Sequence, residues 1–311
     1  MRTQTRDRIL TTRPAPEVPL EGQVIGERYT CQAQISKSSL GPLYGAQAGE
    51  KTLQVQVLAP RRPLSEAALT RAEQELRAAA ALRHPGVARV IDVVTDPARG
   101  LVYLVRDALV GEPLGARMGR LGRPPIEAGL ELFTRVAEAL RGAHASGVFH
   151  HRLRPDAVFL ERGAEGDTPR LLDLGVTRVL HLEPGAWPRA GSLTRARYTA
   201  PEQLVNPRAA DARADVYALG VLLFEMLAGQ PPFVGDDLEA LLAQHQNDRP
   251  PKLTDRAPDR LFSAELEGLV AGMLAKAPQG RPADAGVVLT RLRALRQSGD
   301  LVMALEVDGD P

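Results

Sequence analysis

The side chains best equipped for chemistry crowd into one stretch, Gly147-Val-Phe-His-His-Arg-Leu-Arg-Pro-Asp-Ala-Val-Phe-Leu160. An apolar start leads into a basic loop holding His150, His151, Arg152 and Arg154. Pro155 closes the loop, and a second apolar run, Val158 to Leu160, follows. Arginine stays protonated at any biological pH, so Arg152 and Arg154 can donate hydrogen bonds but cannot accept a proton from a hydroxyl. Ala157 has no side-chain oxygen to offer a metal. Further along, Arg170-Leu-Leu-Asp173-Leu-Gly175 carries a carboxylate that could hold one. Taken singly, a basic turn and an Asp-Leu-Gly tripeptide are ordinary. Their weight comes from what lies at fixed distances on either side.

The elements that must position these residues read as short strands followed by helices. Residues 1–24 are polar, proline-bearing and aperiodic, which predicts a disordered tail. Thr3, Thr5, Thr11 and Thr12 lie there beside arginines and are candidate phosphorylation sites. Short strands begin at Tyr29, and Leu53-Gln-Val-Gln-Val-Leu58 alternates as a two-faced strand. Ser65 to Arg83 is rich in alanine, leucine and glutamate and reads as a helix capped by Ser65. Ile126 to Ser146 is an amphipathic helix that delivers the chain to the basic loop. Asp211 to Gly229 is a second, more apolar one, stopped by Gly229 and by Pro231 and Pro232. A last helix spans 287–296, and residues 298–311 form an acidic tail.

Composition narrows the function classes. The 311 residues carry a formal charge of +1, so no bulk attraction to nucleic acid or membrane is implied. The best apolar run, Val216 to Gly229, is short for a membrane span and carries Glu225. The N-terminus lacks the apolar core of a signal peptide. The single cysteine, Cys31, cannot form an internal disulfide, which suits a cytoplasmic location.

Read together, the motifs resemble the bacterial Ser/Thr protein kinase family from about residue 27 to 297. The basic loop is similar to the catalytic loop H-R-D-L-K-P-x-N, with His150, Leu153 and Pro155 matching. Ile35-Ser-Lys-Ser-Ser-Leu-Gly41 has the spacing of the glycine-rich loop, with Ser36 and Ser38 in the first two glycine positions and Gly41 in the third. Leu53 to Leu58 aligns with V-A-I-K-V-L, and His84-Pro85 with the segment after helix αC, which puts Glu75 at the αC glutamate. Leu101 to Gly111 resembles the last N-lobe strand and hinge, with Arg106 as gatekeeper. Asp173 stands in the D-F-G motif, Ala200-Pro201-Glu202 in A-P-E, Asp215 and Gly220 in the central helix, and Arg281 in the motif whose arginine bridges to Glu202. Thr194-Arg195 replaces the usual Gly-Thr.

The resemblance implies an α+β, bilobal fold. A small, mainly antiparallel β N-lobe with helix αC would span 25–107, a hinge 107–111, and a larger, mainly helical C-lobe 112–297. It also implies that the chemistry has been removed. Gln56 replaces the phosphate-pairing lysine, Arg152 the catalytic-base aspartate, and Ala157 the metal-binding asparagine. Ser36, Ser38, Gly41, Gln56, Glu75, Arg106 and Asp173 would line any nucleotide site, with Asp173 alone left for Mg²⁺. The expectation is a pseudokinase that binds ATP and Mg²⁺ weakly at most. It would act through a protein partner such as an active kinase or a phosphothreonine-binding protein. A weakly active kinase and a nucleotide sensor without turnover are the alternatives. Two internal pairs are expected: Arg106 with the orphaned Glu75, and Arg152 in a bidentate fork with Asp173.

Overall fold

Apolar residues on alternate positions build the first layer. The computed structural model describes residues 19–38, 40–60, 63–180, 182 and 193–298. The N-terminal threonines, the acidic tail beyond Ser298 and the stretch 183–192 lie outside the described residues. A six-stranded antiparallel sheet runs in the order β1-β2-β3-β4-β6-β5. Its strands are β1 (Val24–Ile25), β2 (Tyr29–Ser38), β3 (Gly41–Ala48), β4 (Lys51–Leu58), β5 (Val90–Asp96) and β6 (Leu101–Asp107). On β4, Leu53, Val55 and Val57 turn to one face with Tyr44, Tyr103 and Val105. Gln54 and Gln56 are also buried, so from Leu53 to Leu58 neither side of this strand meets water.

The outer face takes in residues assigned to the tail by their composition. Leu20 is fully buried in the same cluster as Ile25 and Tyr29, and Cys31 N–H donates to Gln23 O at 2.8 Å. Ordered structure therefore includes residues 19–24, because one leucine anchors them to the sheet. The inner face packs on α1 (Glu66–Ala80), whose Ser65 side chain caps Ala68 N–H. This helix stops short of Arg83; Pro85 disfavours helical geometry in the residue before it.

A second, three-stranded sheet joins β7 (Gly111–Pro113), β8 (Val158–Gly163) and β9 (Gly166–Leu171) in sequence order. Between its first two strands come α2 (Leu114–Leu121) and α3 (Ile126–Ala145). Then follow α4 (Val176–Leu180), α5 (Leu193–Ala196), α6 (Pro201–Val205) and α7 (Ala212–Ala228). The chain ends in α8 (Leu238–Asn247), α9 (Leu253–Arg256), α10 (Ala264–Met273) and α11 (Ala285–Ser298). Helix α7 is apolar around nearly its whole circumference, and such a helix belongs inside. It packs in one core cluster with residues of α3, α10 and α11. At Gly220 a Cβ would come within 2.8 Å of Met273 Cβ, so glycine permits the close approach of α10. Gly229 ends α7 at φ 83°, a left-handed cap that costs glycine little. Among the described residues no helix is long and apolar enough to cross a membrane. The architecture is a bilobal protein-kinase fold, an antiparallel sheet lobe beside a helical lobe.

Candidate functional site

The β2–β3 hairpin closes on itself at the tip of the glycine-rich segment. Ser38 Oγ accepts from Leu40 N–H and donates to Gly41 O, each at 3.2 Å. Gly41 has φ 142° and lies so close to β4 that a Cβ would meet Val57 O at 2.5 Å. Leu40 is 1 % exposed and enters the apolar cluster of Leu58, Leu69, Leu76, Val176 and Val179. Ala59 N–H holds its carbonyl at 2.8 Å. The Gln56 amide is spent on the same hairpin, with Nε2 donating to Gly41 O and Pro42 O at 3.2 Å and to Val57 O at 2.9 Å. Ser36 is exposed, opposite Leu43. The Leu40 N–H that could meet a phosphate already has an internal partner.

Helix α4 decides the fate of Glu75. It starts directly after Gly175 and buries Val176, Val179 and Leu180 in the cluster that holds α1. This brings Arg178 Nη1 to Glu75 Oε2 at 3.0 Å, both partly solvated. The expected Arg106–Glu75 pair is therefore absent. A carboxylate that can reach a cation at the surface avoids the desolvation that burial beside Arg106 would impose. Arg106 is buried and donates from Nε to Gln54 Oε1 at 3.1 Å. It lines a narrow enclosed cavity with Gln56, Leu104, Asp173 and Leu174. Burial lowers the Arg106 pKa, and the Asp173 charge opposes that shift.

The basic loop is pinned from below by Asp215. Its Oδ2 accepts from His150 N–H at 2.7 Å and its Oδ1 from His151 N–H at 2.5 Å. His144 Nε2 lies 3.1 Å away, while Ala285 N–H points at the Nδ1 of that ring at 3.3 Å, which assigns the proton to Nε2. Burial works to raise the Asp215 pKa, but the His144 hydrogen bond and the neighbouring histidines hold it down at about 2. Thr177 Oγ1 and Gln203 Nε2 donate to the carbonyls of His150 and His151, tying the loop to α4 and α6. His151 takes φ 57° at this bend.

Above the pinned backbone sit the charges. Asp173, at φ 59°, takes its ion pair from Arg154, Nη2 to Oδ2 at 3.9 Å. The fork expected between Arg152 and Asp173 is not formed, and Arg154, two residues further along the loop, pairs with that carboxylate instead. Arg152 is 8 % exposed and pushed well below its usual pKa by burial, then by Arg195 and Arg154, with Asp173 counteracting. A group already facing two like charges gains less from one shared carboxylate. Ala157 is fully buried and offers no side-chain oxygen. Mg²⁺ asks for oxygen ligands in an octahedral shell. Here one carboxylate faces guanidinium groups, and among the described residues no group of three or more His, Cys, Asp or Glu could hold a metal.

Beneath the site every Arg281 donor is bonded. Arg281 grips Glu202 in a fork at 2.7 and 2.8 Å. Its remaining donors reach Ala275 O at 2.7 Å, Lys276 O at 2.8 Å and Arg213 O at 3.0 Å. The guanidinium also lies over the Tyr217 ring, 4.8 Å from its centre. Sequence reasoning missed Leu40, Arg178, His144 and the Gln54–Arg106 bond. The one available signal was Leu40 itself, an apolar residue at the tip of a Ser- and Lys-rich turn.

Comparison with known proteins agrees with this layout. The family model described as protein kinase domain matches residues 48–291. Serine/threonine-protein kinase Pkn1 of Myxococcus xanthus is 31% identical over 281 residues, covering 86% of this chain and 39% of that protein. The DNA damage-responsive serine/threonine-protein kinase RqkA of Deinococcus radiodurans is 31% identical over 277 residues, covering 88% and 40%. Serine/threonine-protein kinase pkn3 of Myxococcus xanthus is 29% identical over 282 residues, covering 88% and 51%. The chain thus spans about half or less of the length of these relatives. The crystal structure of the Mycobacterium tuberculosis PknI kinase domain matches with a TM-score of 0.70 and 26% identity, over 90% of this chain and all of that one. With its fold, ordered motifs and relatives in agreement, the chain belongs to the protein kinase family, among the bacterial Ser/Thr protein kinases.

Proposed function

We propose that the chain is a pseudokinase domain, a non-catalytic module that works by binding a protein partner in Ser/Thr kinase signalling. The observation that carries this reading is the surroundings of Asp173, whose carboxylate is paired with Arg154 at 3.9 Å. Phosphoryl transfer depends on positioning and on stabilising charge on the transferred group. Gln56 brings no charge and spends its amide on the hairpin, Arg152 cannot act as a base, and Ala157 cannot hold a metal. Loss of a general base alone lowers rate by about 10²–10⁴-fold. Loss of lysine, base and asparagine together removes the constellation. In the resemblance Gln54 and Arg106 stand at the roof and back of the adenine end, and here the two side chains are buried and bonded to each other.

The test measures thermal shift with millimolar ATP, with and without Mg²⁺, beside transfer of labelled γ-phosphate to protein substrates. Stabilisation follows RT ln(1 + [L]/Kd), so weak binding gives a shift near zero. Transfer by the unaltered chain that needs Mg²⁺ and vanishes in Asp173→Asn overturns this proposal in favour of an unorthodox kinase. A shift without transfer would make the chain a nucleotide sensor.

A further inference from the structure

A groove of about 990 Å³ runs along the helical lobe between the segment 249–255 and α10. Its α10 side is made of small residues, because Ala264, Gly268 and Ala271 fall on one helix face and are exposed. Beneath them Phe262 and Val270 are buried. Pro250 and Pro251 line the facing wall. A Cβ built on Gly268 would meet no heavy atom within 4 Å, so the middle of the trough is open. Arg249 and Lys252 are exposed in the lining, and among the described residues neither is ion-paired. The lining carboxylates are instead committed to backbone donors. Glu267 accepts from the N–H groups of Leu253 and Thr254, each at 2.9 Å, and Asp255 from Lys252 N–H at 2.8 Å.

Helix α11 delivers the chain to the same end of the lobe. It runs antiparallel to α3: Ala285 N–H donates to His144 Nδ1 at 3.3 Å near the end of α3, and Arg296 Nη2 reaches Glu131 Oε2 at 3.8 Å near its start. The start of α3 is tied in turn to the edge of the groove. Arg260, two residues before Phe262, donates to Pro124 O at 2.8 Å and to Arg123 O at 3.3 Å. The sequence that follows Ser298 carries the acids Asp300, Glu306, Asp308 and Asp310 and no base, with Leu301, Val302, Met303, Leu305 and Val307 among them. We propose that residues 299–311 of this chain dock in the groove between residues 249–255 and α10. Their carboxylates meet Arg249 and Lys252, and their apolar side chains cover Ala264, Gly268 and Ala271. The length suffices, since residues 299–311 extend up to about 45 Å and α10 is about 15 Å long. Attachment at Ser298 presents the segment at an effective concentration on the order of millimolar. Two screened charge pairs and a modest apolar contact are then enough to favour the docked form. The absence of large side chains on this face of α10 lets a backbone come close. The groove is thereby an interaction surface occupied in cis, and an acidic peptide from another protein has to displace the segment to use it.

The experiment treats the full chain with a carbodiimide, which joins a lysine amine directly to a carboxylate in contact with it. Digestion and mass spectrometry then identify each joined pair. At low salt Lys252 is expected to couple to Asp300, Glu306, Asp308 or Asp310 of the same molecule, about tenfold more than the exposed Lys37 and Lys51 do. High salt should weaken that coupling. Gly268→Phe puts a ring into the open trough and should cut the coupling about tenfold. Gly272→Phe, equally open but outside the groove, should leave it unchanged. Should Gly268→Phe disturb folding, the double variant Leu301→Ser with Leu305→Ser decides, since it alters no residue of the groove and should cut the coupling as much. Coupling of Lys252 to the segment no greater than that of Lys37 or Lys51 overturns the proposal. So does coupling untouched by Gly268→Phe in a folded protein, or by the double variant. Coupling found only between molecules, rising with protein concentration, also overturns it and gives the groove to a second copy.

Discussion

In a loop that opens and closes over a nucleotide, the tip side chain adds almost nothing to stability. Leu40 is therefore the residue at which the closed hairpin can be tested. It is 1 % exposed and joins one cluster with α1 and α4. Leu40→Ala removes three carbon atoms, worth roughly 2–3 kcal/mol at about 0.8 kcal/mol per buried methylene. The unfilled cavity adds to this, and measured Leu→Ala losses in cores run from about 2 to 5 kcal/mol. We expect a loss of about 3 kcal/mol, or roughly 6–12 °C in melting temperature at about 2–4 °C per kcal/mol. The assay is urea unfolding followed by circular dichroism, with Val110→Ala as control because Val110 is 64% exposed. The control should move by less than about 0.5 kcal/mol. A loss under about 1 kcal/mol for Leu40→Ala, with an unchanged denaturant slope, would refute the claim that the tip is a structural plug.

Two further predictions concern the scaffold beneath the site. Arg281→Met should cost about 3–5 kcal/mol, because it strands a partly buried carboxylate and three carbonyls. A double-mutant cycle with Glu202→Gln should show coupling above about 1 kcal/mol, and a coupling near zero would contradict the fork. Asp215 has a folded pKa depressed to about 2, so its contribution is present above the unfolded value and is lost as pH falls from about 4 toward 2. The stability gap between the unaltered chain and Asp215→Asn should therefore shrink by roughly 2 kcal/mol between pH 5 and pH 2. A gap that stays constant over that range would show that Asp215 is not held ionised by the histidine loop.

The order and spacing of motifs were legible without coordinates. Gly220, Gly229, Asp215 and the proline stops dictate a buried helix of known length, because helical period and backbone geometry are local properties. The Glu202–Arg281 pair could also be anticipated, since both ends sit on rigid backbone that the resemblance positions. Identity alone marked Gln56, Arg152 and Ala157, because a side chain without a proton acceptor or a charge lacks it in any fold. What the tertiary structure decided was who meets whom. Glu75 and Arg178 are 103 residues apart, and nothing local foretold that α4 would bring them together. Arg154 rather than its neighbour Arg152 took Asp173 for the same reason. An ion pair is settled by ångström-scale reach and by the desolvation each long side chain would suffer, and both quantities exist only once the segments have packed. Residues 19–24 teach the same lesson in apolar terms: their composition is that of a tail, but a sheet face formed by distant strands gave Leu20 a place to bury.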